Sequence, residues 1–82
     1  MRNGLKQTAD TKAFDLTRLE LITLTLLANG LGTVDIASRL AASEADIEAA
    51  LVEAERKLGA SNRLNAVAVA IQRGLIGIEV KG

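Results

Sequence analysis

Catalysis needs side chains that move protons, hold metals or attack carbonyls, and this chain carries few of them. It contains no His and no Cys. That removes the commonest general base, thiolate nucleophiles, disulfides and nearly every transition-metal site. The most suggestive grouping left is the acidic run Glu44, Asp46 and Glu48 in SEADIEAALVEAERKLGASNR, residues 43–63. Clustered carboxylates can serve acid–base chemistry or hold a hard cation. Helical spacing turns Asp46 away from Glu44 and Glu48, however, and no coordinating turn is present. Without a glycine-rich phosphate loop either, the residues form no catalytic, metal or cofactor constellation, and no enzyme and no small-molecule substrate are expected. Solvated charge is the plain meaning of the acids.

Charge and aromatic content narrow the partners. Lys plus Arg and Asp plus Glu each total 10, so the formal net charge is zero. A duplex-binding protein usually has a basic surplus that displaces counterions from phosphates. Phe14 is the one aromatic residue, too few for a stacking platform of the single-strand or RNA-binding kind. The cations Arg39, Arg56, Lys57 and Arg63 are scattered near helix ends, where Arg56 and Lys57 also complement the dipole of a last helical turn. Apolar segments are broken by Asn, Gly, Asp and Glu well before membrane-spanning length, and a cytoplasmic protein without membrane contact is expected.

The elements that position these groups are read from their punctuation. At 82 residues the chain is one small domain. Residues 1–14 read as a loose N-terminal arm, with Phe14 anchoring its end, 15–76 as the domain and 77–82 as a tail. Thr17 and Glu20 form a capping-box pattern for a first helix that runs to about Asn29 and stops at Gly30, with Leu31 folding back on Leu26. Thr33 is expected to cap a short second helix with Ile36, Ala37 and Leu40 on one face. Ser43 and Asp46 repeat the box for a third, whose Ile47, Leu51, Ala54 and Leu58 form one stripe before Gly59. A fourth starts near Ser61 or Asn62 and ends before Gly74. Its AVAVAI fragment also alternates as a strand would, although nothing breaks a helix between Arg63 and Arg73. The expected fold class is all-α, with four helices joined by short connections.

The strings L-T-x-x-E, A-N-G-L, D-I-A-x-x-L, S-E at a helix start and K-L-G-A-S-N-R-x-x-A resemble the LuxR-type (GerE-like) helix-turn-helix domain. The likeness runs ungapped from Leu16 to Ile76 and rests mostly on caps, glycine stops and core positions. It implies that the second and third helices form the helix-turn-helix, that the third enters the major groove, and that the fourth pairs with a second copy. The departures fall where DNA contact is made. Gly32, Thr33, Val34 and Asp35 stand where the family usually has Ser-Asn-Lys-Glu. On the recognition helix, Asp46, Ile47, Glu48 and Ala50 occupy columns usually filled by Thr, Val, Lys and His. With Glu44, these residues define the expected recognition-helix surface, and an acid there is repelled from phosphate by on the order of 1 kcal/mol. Leu19 and Ile22 replace the usual Arg and Glu of the first helix, leaving an apolar face for the arm, the tail or a partner to cover. The fourth helix is apolar on two sides, Leu64, Val67, Ala68 and Ile71 on one and Ala66, Val69 and Ala70 on the other. The second side is expected to be the partner surface, the competing reading being burial within the monomer.

Two functions follow. In the first, the chain is a stand-alone protein of transcription control that acts by protein contact, as a homodimer or as a heterodimer with another helix-turn-helix regulator, and binds DNA weakly if at all. In the second, it is a sequence-specific DNA-binding regulator with non-standard contacts, in which Arg39, Arg63 and the arm residues Lys6 and Lys12 reach phosphates.

Overall fold

A computed structural model describes residues 14–78 of the chain. Four helices follow in order: α1, Arg18–Ala28; α2, Thr33–Leu40; α3, Glu44–Leu58; and α4, Arg63–Gln72. The expected all-α architecture is what forms, and residues 66–71 are helical. The arm's Lys6 and Lys12 and the tail beyond Ile78 lie outside the described residues. No described helix is long and apolar enough to cross a membrane.

Three of the four helix starts are set by side chains. The Thr17 hydroxyl accepts from the Glu20 amide at 3.0 Å, and Glu20 Oε1 accepts from the Thr17 amide at 2.9 Å. Ser43 and Asp46 make the same reciprocal pair at 3.0 and 3.4 Å, and Asn62 caps α4 through the amide of Asn65. The expected cap of α2 needs correction. Gly32 holds the N-cap position without a side-chain bond and Thr33 is the first helical residue. The Thr33 hydroxyl instead donates to Glu44 Oε2 at 3.0 Å, fastening the start of α2 to the start of α3.

All four helices end in one way. A left-handed residue stands at or just after each helix's cap position, Gly30 (φ 102°), Ala41 (56°), Gly59 (65°) and Gly74 (74°). The next amide reaches back five residues: Leu31 to the Leu26 carbonyl, Ala42 to Ala37, Ala60 to Glu55 and Leu75 to Ala70, at 2.8–3.1 Å. Orphan carbonyls are thus satisfied while the chain reverses. Ala41 is the exception in type, because its Cβ makes this conformation costly where glycine would adopt it freely.

Helices α1 and α3 each pack on the other three, whereas α2 and α4 do not touch. The core is built from Leu24 of α1, Ile36 and Ala37 of α2, Ile47, Leu51, Ala54 and Leu58 of α3, and Ala66 and Ala70 of α4. Phe14 packs against it from the start of the described chain, as expected, with the Arg73 guanidinium 5.7 Å from its ring centre. Leu75 and Ile76 cover it from the other end. The junction of α1 and α3 also holds a buried ion pair. Lys57 Nζ donates to Glu20 Oε1 at 2.9 Å, to Oε2 at 3.2 Å and to the Asp15 carbonyl at 2.9 Å, with Glu20 and Lys57 side chains only 7% and 14% exposed. Glu20 therefore caps its own helix and anchors the last turn of α3. On α1, the Thr23 hydroxyl is fully buried and lacks a hydrogen-bond partner among the described residues.

Candidate nucleic-acid and partner surfaces

Two sides of α3 are spoken for before any ligand is considered. Ile47, Ala50, Leu51, Ala54 and Leu58 recur at helical spacing and are buried. The side beside α4 carries Glu48 and Glu55, both facing Arg63, the first residue of α4. Arg63 Nη2 lies 2.6 Å from Glu48 Oε1, and its Nε lies 3.9 Å from Glu55 Oε2. The hydrogen bond from Arg63 holds the Glu48 carboxyl below the usual carboxylate range. This leaves a third side, exposed or half-exposed, made of Ala45, Asp46, Ala49, Val52, Glu53 and Arg56.

The residues expected at the recognition surface differ in exposure. Glu44 and Asp46 are exposed and Glu48 is half-buried. Ile47 is fully buried, as its place in the core stripe required, and Ala50 is only 7% exposed, so neither belongs to the surface. Ala50 falls three residues after Ile47 and four before Ala54, a spacing that assigns it to the core. Sequence reasoning missed Ala45, Ala49 and Val52, the last 58% exposed. Their signal was present: they recur at intervals of four and three residues on the side away from the buried stripe.

None of the three acids at the start of α3 is without a partner. Glu44 accepts from Thr33, Asp46 accepts from the Ser43 amide, and Glu48 accepts from Arg63. They are structural contacts as well as surface charge. Of the cations expected near phosphates, Arg39 is exposed on α2 and makes no ion pair among the described residues, whereas Arg63 is held by Glu48. Arg56, at the far end of the outward side, is bound through Nε and Nη2 to Glu53, with contacts of 2.8–3.2 Å. That hydrogen bond lowers the Glu53 carboxyl below its ordinary range and raises the Arg56 guanidinium. Residues 33–58 carry six acids against three bases, and one of the bases, Lys57, is taken up by Glu20 of α1, so the helix-turn-helix pair carries a net negative charge.

The side of α4 expected to meet a partner faces inward instead. Ala66 and Ala70 are fully buried and Val69 is half-buried against the core. Small side chains at these positions let the backbone of α4 approach its neighbours closely, so the side with less apolar volume faces inward. The opposite side carries Leu64, Ala68 and Ile71, which are exposed, and Val67, which like Val69 is half-buried against the core. Leu64 is 80% exposed and Ile71 36%. A cleft beside this row is lined by Leu27, Ala28, Arg63, Leu64 and Val67. On α1, Leu19 is 39% exposed and Ile22 is half-buried, so that expected apolar face is only partly open.

Comparison with known proteins agrees with this geometry. The family model for bacterial regulatory proteins of the luxR family (GerE) matches residues 15–70. The chain is also 39% identical over 64 residues to the transcriptional regulatory protein YdfI of Bacillus subtilis (strain 168). That alignment takes in 78% of this chain and 30% of the relative, so the chain spans less than a third of that protein's length. Four capped helices, a third helix braced by all the others and a family match over residues 15–70 make this chain a member of the LuxR family of bacterial regulatory proteins, with its helix-turn-helix domain.

Proposed function

We propose that this chain serves transcription control in the cytoplasm chiefly through protein contact, pairing through the outer side of α4 with a second copy or with another helix-turn-helix regulator, and that its own affinity for DNA is weakened. The observation that carries the reading is the row Leu64, Val67, Ala68 and Ile71, exposed except at Val67, which is half-buried against the core. Its spacing of three, four and seven residues gives one continuous helical face with Leu64 almost bare. Burying a Leu side chain is worth about 1.5–3 kcal/mol, so a surface left this open in a small monomer gains much by pairing. Weakened DNA affinity is supported by the outward side of α3, where small apolar residues and acids stand and Arg56 is occupied by Glu53.

Sedimentation of the wild-type protein and of Leu64→Glu tests the pairing. A dimer that dissociates on the substitution supports it, and a wild-type protein that stays monomeric at high concentration sinks it. Val69→Glu is the folding control, since that position packs against the core. A second reading, sequence-specific DNA binding, is favoured by the exposed Arg39 on α2, which makes no ion pair among the described residues. Tight binding of the wild-type protein to a particular duplex would establish it and displace the first.

A further inference from the structure

The contact between α3 and α4 joins two groups that nucleic acid would treat oppositely. Arg63 begins α4, and its guanidinium is a planar fork suited to phosphate. Glu48 projects from α3 and presents it with a carboxylate at 2.6 Å, while Glu55, one helical repeat further along, stands 3.9 Å from its Nε. Neither partner is sealed from solvent, the side chains of Arg63 and Glu48 being 37% and 43% exposed. A phosphate could reach Arg63 only by taking over a site already filled by an anion.

We propose that Glu48 is a built-in phosphate substitute: its carboxylate occupies the guanidinium of Arg63 and withholds from nucleic acid a cation that the domain otherwise possesses. This rests on the reading that DNA affinity is weakened and gives that weakening a specific cause. Simple repulsion would come from the charge of Glu48 alone and would not involve Arg63. Capture works through Arg63, and it leaves a different mark on salt dependence. An arginine neutralised within the protein displaces no counterion from the duplex, so it adds nothing to the salt slope until it is released. An exposed pair of this kind is modest in strength. Its effect on affinity is therefore expected to be about two- to fivefold, and the slope is the clearer readout.

The test is a four-way comparison using a short random-sequence DNA duplex, titrated at several salt concentrations with each protein shown to be folded by circular dichroism. The proteins are the wild type, Arg63→Ala, the released variant Glu48→Gln/Glu55→Gln, and the released variant carrying Arg63→Ala. The second glutamine keeps Glu55 from taking over the guanidinium. Arg63→Ala is expected to change little in the wild-type background. The released variant should bind more tightly, with a salt slope steeper by about one, and Arg63→Ala should remove that steepening. The proposal is overturned if release brings no gain, if the steepening survives loss of Arg63, or if Arg63→Ala weakens the wild-type protein as much as the released one. Tight duplex binding by the wild type would instead defeat the weakened-affinity reading, and the two Arg63 comparisons would still decide whether Glu48 holds the arginine back.

Discussion

Replacing Lys57 by Met removes one ammonium group while keeping most of the side-chain stem, and the structure sets the size of the effect. Three acceptors lose their donor together: both oxygens of Glu20 and the Asp15 carbonyl. Glu20 is 5% exposed, so its carboxylate stays largely out of water with only the Thr17 amide to bind it. Removing one member of a buried pair costs roughly 3–5 kcal/mol because the other is left uncompensated. The pair lies at a helix start rather than deep in the core, which points to the lower end, about 3 kcal/mol. A domain this small holds on the order of 4–12 kcal/mol in total. At roughly 4–8 °C per kcal/mol, the midpoint of thermal unfolding should fall by about 12–24 °C. Glu20→Gln in the Lys57→Met background keeps an acceptor for the Thr17 amide and leaves no buried charge. This double variant should recover to within about 1 kcal/mol of wild type. Urea unfolding followed by far-ultraviolet circular dichroism, at one fixed protein concentration, gives all three values. A loss below about 1 kcal/mol for Lys57→Met, or a double variant no better than the single, would refute the argument that desolvated charge dominates this contact.

Ala41→Gly should stabilise the protein by about 0.5–1 kcal/mol, because relief of the left-handed strain exceeds the entropy glycine adds to the unfolded chain; thermal unfolding reads it directly, and a loss of stability would count against a strained Ala41. Thr23→Val keeps the branched shape and removes a buried hydroxyl that lacks a partner among the described residues, so it should add about 1 kcal/mol; a clear destabilisation in the same assay would mean the hydroxyl is satisfied.

The parts of the fold that could be read from the sequence are those decided within a few residues. The capping boxes at Thr17–Glu20 and Ser43–Asp46 and the stops at Gly30 and Gly59 depend on local hydrogen bonds and backbone angles, which residue types reveal. Gly32 took the cap from Thr33 because that hydroxyl is drawn to Glu44, a partner eleven residues away. The bond from Lys57 to Glu20 was hidden for the same reason. Each residue had a sufficient local role, as helix-end cation and as capping acid, and nothing in a local pattern joins positions separated by 37 residues. The inner side of α4 was misjudged for a different reason. When both sides of a helix are apolar, periodicity cannot choose between them, and close packing placed Ala66 and Ala70 inside while the bulkier Leu64 stayed out. At the candidate DNA-reading surface the acids were visible, but their partners were not. Whether Glu48 stands alone or holds Arg63 depends on how α4 lies beside α3.

The shared ending of the four helices also bears on how fast the domain assembles. Each chain reversal is closed by hydrogen bonds spanning no more than five residues, so its direction is biased before distant segments meet. Assembly then becomes the docking of a few short rods around corners already turned. Folds dominated by such short-range closures reach the native state in microseconds to milliseconds. The sequence has no proline, so no prolyl isomerisation adds a phase of seconds to minutes. Of the four corners, three are set by glycine and one by Ala41, whose intrinsic preference is for a different geometry. The turn between α2 and α3 is thus the one that tertiary contacts must hold in place, and it lies within the helix-turn-helix itself.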